Sequence, residues 1–256
     1  MSVQPHARPL SLDGGPFGVL LSHGFTGSPR SMSPWGQALA DAGYTVRVPR
    51  LPGHGTTWQE LSQTRWQDWY AEVDRALTEL RSRCDKVAVA GLSMGACLAL
   101  RLAEQRPDDV DALTLVNPAV RSTNRQLLAL PLLRHVMASV PAIGNDIKKP
   151  GVSEGAYDRT PLQPLHSLTR LWREVRADLP TVVAPLLVLR SSEDHVVDPS
   201  SAALILSAVS SPVRREVLLE HSYHVATLDN DAPRIVAESL QFLAEHLGVA
   251  QEVDRA

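Results

Sequence analysis

One serine sits between two glycines in Gly91-Leu92-Ser93-Met94-Gly95, and two stretches far downstream hold clustered acids and histidines, "SSEDHVVDPS" (191–200) and "EHSYHVATLDND" (220–231). A serine hydroxyl is a weak nucleophile until a base takes its proton and a third group orients that base. The three stretches supply those types in the order serine, acid, histidine. A turn this tight leaves no room for side chains two residues either side of the serine, which is why both positions are glycine. A strand (Val87–Ala90) enters the turn and a helix leaves it at Met94. This lifts the Ser93 hydroxyl above the sheet and sets the Met94 N–H at a helix N-terminus, where it can stabilise a developing oxyanion.

Asp194 is the expected acid. Asp198 precedes a proline and reads as a helix cap, and Glu193 points away from its neighbour if the loop is extended. His224 is preferred to His221 as base because it lies further into its loop; the residues alone leave His221 open. A second oxyanion donor is expected after an early strand, and "LLSHGFTG" places the Phe25 backbone N–H there. His23 and His54, each in a glycine-rich turn, read as loop-bracing residues, and His195 should point away from Asp194. The histidines show neither H-E-x-x-H nor paired helical spacing, so no metal site is expected.

These groups need a scaffold whose strand ends converge. Short, continuous apolar runs predict strands at Gly18–Ser22, Thr45–Val48, Lys86–Ala90, Ala112–Val116, Pro185–Arg190 and Val213–Leu219, as where both sheet faces are covered. Helices are expected at Ser31–Ala42 (stopped by Gly43), Thr64–Arg83 (Thr64 as cap, Gln67 three residues on), Met94–Gln105, from Pro199 behind Asp198 as cap, and behind Asp231 as cap to about Leu247. The alternation predicts an α/β fold, a mainly parallel sheet flanked by helices. Residues 119–178 break the rhythm. They carry five prolines and no clear strand, and are too long for a loop. They read as a small helical cap (lid) inserted between the core segments 1–118 and 179–256. The tail 248–256 reads as frayed.

The 256 residues are 44 % hydrophobic with a formal net charge of −3. That excludes disorder and gives no basic field for nucleic acid. No apolar run is long enough to span a membrane and the N-terminus lacks a signal-peptide core, so a cytoplasmic protein is expected. Cys84 and Cys97 lack CxxC spacing and read as buried hydrophobes in a reducing compartment.

Together "GVLLSHGFTGSP", "AGYTVRVPRLPGHGT", "GLSMG", "SSEDHVVDP" and "SYHVATLD" resemble the α/β-hydrolase family, and within it bacterial monoacylglycerol lipases and small thermostable carboxylesterases. The resemblance runs from about Gly18 to Asp229. It implies Ser93 as nucleophile, Asp194 as acid, His224 as base, Phe25 and Met94 as oxyanion donors, and no cofactor. It also implies a cap with an apolar acyl tunnel and a polar pocket, in which "SEGAYDRTP" points to Glu154 as a binder of glycerol hydroxyls. The expected activity is hydrolysis of monoacylglycerols through an acyl-enzyme. Broad carboxylesterase action is the alternative, with a thioesterase, a C–C hydrolase or a non-catalytic receptor behind it. The apolar cap residues Leu127, Leu128, Leu130, Leu132, Leu133, Val136, Met137, Val140 and Ile143 read as tunnel wall, as cap core, or as a face touching lipid aggregates. Oligomeric state is not legible.

Overall fold

The computed structural model describes residues 3–248; apart from Gly248, the tail expected to fray lies outside them. A seven-stranded sheet runs in the order β1 (Leu10–Leu12), β3 (Thr45–Val48), β2 (Phe17–Ser22), β4 (Lys86–Leu92), β5 (Ala112–Val116), β8 (Leu186–Ser191), β9 (Arg214–Leu219). All neighbours pair in parallel except β1, which runs antiparallel to β3. The six expected strands are present. β1 was not expected: three residues of which only the outer two are apolar carry no readable period.

Each strand's alternation divides the core in two. Val87 and Val89 of β4 face one layer, with Trp69, Val73 and Leu77 of helix α3 (Trp66–Arg81), Cys97 and Leu98 of α4 (Met94–Gln105) and Leu171 and Val175 of α6 (Leu162–Asp178). Ala88 and Ala90 face the other, with Trp35 and Leu39 of α1 (Ser33–Asp41) and Ile235 and Phe242 of α8 (Ala232–His246). α4 is apolar around nearly its whole circumference because it is enclosed. Both cysteines are free and buried.

Two expected caps are corrected. α3 starts two residues later than Thr64. The Thr64 hydroxyl is occupied by the Leu61 carbonyl and the Trp69 indole N–H. Asp68 closes the first turn instead, accepting from the Arg65 N–H at 2.7 Å. Asp231 lies at the start of α8 but its carboxylate accepts from the His221 N–H, so it ties down the preceding loop rather than the helix. Asp198 behaves as expected, accepting from the Ser200 N–H ahead of α7 (Ser200–Ala208).

Between β5 and β8 the chain leaves the sheet. A short helix α5 (Leu130–Leu133) and the long α6 match the helical expectation, but a two-stranded antiparallel sheet, β6 (Ser139–Pro141) with β7 (Arg159–Pro161), does not. Strands of three residues with prolines at their ends give no pattern to read. The excursion is fastened to the sheet layer by specific bonds. Tyr157 donates its hydroxyl to the Gly53 carbonyl and accepts from the Thr56 N–H, both at 2.8 Å. Ser167 of α6 accepts the Trp66 N–H, one of the orphan donors that open α3.

On α4, Arg101 shares its guanidinium among Glu104, Asp178 and Glu174. Glu104 has a fully buried side chain with one oxygen lacking any partner. Burial pushes its carboxyl up to about 8; the bond and charge of Arg101 pull it down only in part, and the charges of Asp178 and Glu174 add to the rise. A carboxyl raised from 4.5 in the folded state stays protonated there while the unfolded chain ionises. Its presence therefore lowers stability progressively as pH climbs from about 5 to about 8. Glu104→Gln should show a melting temperature whose advantage over wild type grows across that interval, read by thermal denaturation at several pH values; a difference that stays flat with pH overturns this.

Candidate active site

Ser93 follows the last residue of β4 and precedes the first of α4, with φ 57° and ψ −115°. Left-handed φ is costly for a side-chain-bearing residue, and here it is held by the surroundings. The Ser93 N–H donates to the Val116 carbonyl at 3.0 Å, and the Ser93 carbonyl accepts from Cys97 and Ala119. A methyl added to Gly95 would collide with the Ser22 carbonyl and stand 2.7 Å from that of His23; one on Gly91 would strike the backbone of Gly95 and Ala96. Glycine at both positions is what lets β4 turn straight into α4 beside β2.

Asp194 and His224 meet. The Asp194 Oδ2 lies 2.8 Å from His224 Nδ1, while its Oδ1 accepts the Val196 and Val197 N–H groups, each at 2.8 Å. Burial works against the Asp194 charge, but the bond and charge of His224 together with those two N–H groups outweigh it and hold the carboxyl below its ordinary range. An ionised Asp194 accepts Nδ1–H, which leaves the His224 Nε2 lone pair available. His221 is exposed and its N–H goes to Asp231. His195 turns away from Asp194 toward Asp146, and Glu193 toward Lys148, as expected. Among the described residues no hydrogen bond joins the Ser93 hydroxyl to His224; both side chains line one cavity of about 370 Å³. Catalytic hydrogen bonds are often long before substrate binds.

The loop after β2 borders the same cavity through Gly24, Phe25 and Thr26. His23 is buried beneath it, its Nδ1 3.0 Å from the Gly24 carbonyl and its Nε2 accepting the Leu51 N–H. The accepting Nε2 fixes the tautomer, so Nδ1–H donates. Burial, with help from the Arg50 charge and against the Gly24 bond, pushes this imidazole down to about 4 and keeps it neutral. Across a trans peptide the Gly24 C=O and Phe25 N–H point in opposite directions, so anchoring the first sets the second. His54 packs edge-on against His23 and Trp69 below the same loop. The Met94 N–H opens α4, where helix N–H groups have no partner within the helix. Glu154 also reaches the cavity. It is buried, and its Oε1 accepts the Asn145 N–H at 3.3 Å. Burial raises its carboxyl; the charge of His224 and the Asn145 N–H oppose the rise, and the charge of Asp146 adds to it.

The apolar residues of the excursion have unlike surroundings, and Ile143, which borders the cavity, is itself 71 % exposed. Leu127, Leu130, Leu133, Val140 and Ile143 line the cavity. Leu128, Leu132 and Val136 face outward, at 83 %, 77 % and 78 % exposure, so the reading of the whole set as cap core does not hold. Among the described residues no cluster of histidine, cysteine, aspartate and glutamate could hold a metal ion, and no helix is long and apolar enough to cross a membrane.

Asn117 was not anticipated. It follows β5 with φ 43° and is buried. Its Oδ1 accepts the Ser191 N–H at 2.7 Å, and its Nδ2 donates to the His224 carbonyl at 2.7 Å and to the Ser191 hydroxyl at 3.0 Å. One amide thereby sets the end of β8 against the loop that carries His224. Asn-Pro after a strand signals a turn, but no sequence pattern says what the amide will touch.

A mainly parallel sheet whose fourth strand ends in a strained serine, with a carboxylate and an imidazole paired beyond β8 and β9, defines an α/β-hydrolase. Residues 18–231 match the family model Hydrolase_4, described as serine aminopeptidase, S33, and the chain belongs to that family of hydrolases. A thermostable monoacylglycerol lipase of Bacillus sp. (strain H-257) is 43 % identical, over 94 % of this chain and 96 % of that protein. A carboxylesterase of Bacillus subtilis (strain 168) is 26 % identical over 92 % and 96 %. A solved structure described under the metagenome-derived lipolytic enzymes LipS and LipT superposes with TM-score 0.93 at 42 % identity, covering 96 % of this chain and all of that one. A monoacylglycerol lipase of Paleococcus ferrophilus shares the fold, with TM-score 0.79 at 17 % identity over 93 % and 98 %.

Asn117→Ala should lower stability by about 2–4 kcal/mol, because it strands the buried Ser191 N–H and His224 carbonyl. A chemical-denaturation curve indistinguishable from wild type overturns the bracing role.

Proposed function

We propose that the protein hydrolyses monoacylglycerols to glycerol and fatty acid through an acyl-enzyme on Ser93, with His224 as base and Asp194 as its orienting acid. The observation that carries this reading is the 2.8 Å contact of Asp194 with His224, which lines the cavity that the strained Ser93 also lines. His224 Nε2 takes the hydroxyl proton as Ser93 Oγ bonds to the ester carbonyl carbon. The tetrahedral oxyanion is met by the Phe25 and Met94 N–H groups. The glycerol oxygen leaves with the proton from His224, and water repeats the cycle to release the acid. Asp194 remains a carboxylate throughout and stabilises the imidazolium.

The substrate class rests on the relative named a monoacylglycerol lipase and on two features of the cavity. One is a wall of leucine, isoleucine and valine suited to an acyl chain. The other is Glu154, a buried acceptor for an alcohol hydroxyl close enough to His224 to feel its charge. In this reading residues 119–178 act as a cap, and their outward Leu128, Leu132 and Val136 touch lipid aggregates. The two unpaired cysteines are in keeping with the cytoplasm. Action on simple alkyl esters is the second reading, favoured by the carboxylesterase relative.

Ser93→Ala and His224→Ala should each lower kcat by at least about a thousandfold on a monoacylglycerol and on the 4-nitrophenyl ester of the same acyl chain, while His221→Ala stays within about threefold. Retention of most activity by Ser93→Ala ends the proposal. Glu154→Gln separates the two readings. A KM raised about tenfold for the monoacylglycerol with the 4-nitrophenyl ester nearly unchanged supports the glycerol pocket; equal changes on both substrates favour the broad esterase.

A further inference from the structure

Several side chains of the excursion reach the loops that carry the acid and the base, Lys148 at Glu193 and the Tyr223 ring among them, but Asp146 holds main chain in both. Its Oδ2 accepts the backbone N–H of His224 at 3.1 Å and that of His195 at 3.2 Å. These are the base itself and the residue beside the acid. Its own carbonyl accepts the Val225 N–H at 3.0 Å. Its Oδ1 stands 2.8 Å from His195 Nδ1, and its side chain is 11 % exposed. The next residues continue the seam: Lys148 and Lys149 N–H groups donate to the buried Asp229, which also accepts the Tyr223 N–H. On the other side Asn145 exchanges bonds with Glu154, its N–H to the carboxylate and its Oδ1 to the Glu154 N–H.

We propose that Asp146 is a positioning residue: a carboxylate from the inserted segment that joins the acid loop to the base loop through their backbone N–H groups, so that Asp194 and His224 are aligned only when this segment is seated. The inference rests on the triad reading above. Three facts favour it over a merely local contact. The two N–H groups belong to loops after different strands, β8 and β9, which meet each other through the Asp194–His224 pair and the His195 and Tyr223 rings, so a third group that holds both main chains bears on that pair. The acceptor is a sheltered carboxyl group whose two oxygens take both N–H groups and the His195 ring at once. The bonds hold main chain rather than rings, so they fix where the loops run. Asn117 braces the same base loop from below, at the His224 carbonyl. With Asp146 on the N–H, both backbone polar groups of His224 are held, one by the sheet and one by the insertion.

Because Asp146 acts on the triad and touches neither half of the ester, its loss should lower kcat equally on glycerol and 4-nitrophenyl esters and leave KM nearly unchanged. This is the reverse of the pattern expected from Glu154. The experiment uses Asp146→Ala, Asp146→Asn and His195→Ala in the full chain. Asp146→Ala should lower kcat about 10- to 100-fold on both esters, with the same fall in the rate at which a fluorophosphonate labels Ser93, since small misplacements near a reacting group are this costly. Asp146→Asn, whose amide oxygen can still accept both N–H groups, should recover most of that loss. His195→Ala, which keeps its backbone N–H, should stay within about threefold. Thermal melts establish that each variant is folded; if Asp146→Ala does not fold, Asp146→Ser, which stays polar but is too short to accept both N–H groups, takes its place and should show the same fall in kcat and labelling rate. The proposal is overturned if Asp146→Ala keeps wild-type kcat and labelling rate, if its effect lies in KM alone, if Asp146→Asn fares no better than alanine, or if His195→Ala loses as much. Wild-type protein that fluorophosphonate does not label brings down the triad reading and this one with it, whereas labelled wild type with an indifferent Asp146→Ala brings down this one alone.

Discussion

The backbone at Ser93, held at φ 57°, is the constraint on which the rest of the molecule depends. A conformation of this kind costs on the order of 1–3 kcal/mol and survives only where its neighbours leave no alternative. Those neighbours are β2 on one side, too close to admit a side chain at Gly95, and β5 on the other, whose last carbonyl takes the Ser93 N–H. Register makes the match. Ser22 stands opposite Gly91 and Leu92 opposite Val116, so three strands end at one level and the turn is gripped from both flanks. The same levelling brings the loops after β2, β5, β8 and β9 to one edge of the sheet.

What then holds those loops is a set of buried or sheltered polar side chains in addition to the apolar packing of Val225 and Ala226. Asn117, Asp229 and Asp146 each bind backbone groups from two or more segments. A buried N–H or C=O without a partner is costly, so a loop edge satisfied in this way has few alternative arrangements. The segment between β5 and β8 supplies part of this framework through Asp146, and Tyr157 ties the same segment to Gly53 and Thr56.

Two carboxylates on or beside the cavity show how surroundings set charge. Asp194 has an imidazole and two N–H groups and is driven toward its ionised form; Glu154 has one N–H and is driven by burial toward its neutral form. Environments that push like groups apart assign them different roles. An anion suits the orientation of an imidazole, and a sheltered carboxyl suits a hydroxyl. His23 extends the same logic: its neutrality lets it accept at one nitrogen and donate at the other, which orients the peptide of Gly24 and Phe25.

The parallel sheet, the turn at Ser93 and the preference for Asp194 among its neighbours as the carboxylate that meets a histidine were legible because each is written in contiguous residues. Continuous apolar runs mark strands covered on both faces, and glycines at two-residue spacing mark a turn that tolerates nothing larger. The preference for His224 over His221 came from its place in the loop and was strengthened by resemblance, and the expectation that Glu154 reaches the site came from resemblance alone, since both turn on where a loop or a segment of the insertion comes to rest. β1, the strands β6 and β7, and the true start of α3 were hidden: three-residue strands have no period, and the Thr64 hydroxyl was already claimed by Leu61 and Trp69. Asn117 and Asp146 lay beyond the reach of sequence altogether. Their partners are up to about a hundred residues away in the chain, and side-chain amides and carboxylates take whatever N–H or carbonyl the packed fold presents to them. The sequence by itself determined which groups could do the chemistry and which strands would carry them; the tertiary structure alone decided how those groups are oriented, because orientation comes from hydrogen bonds between segments that meet only once the chain has folded.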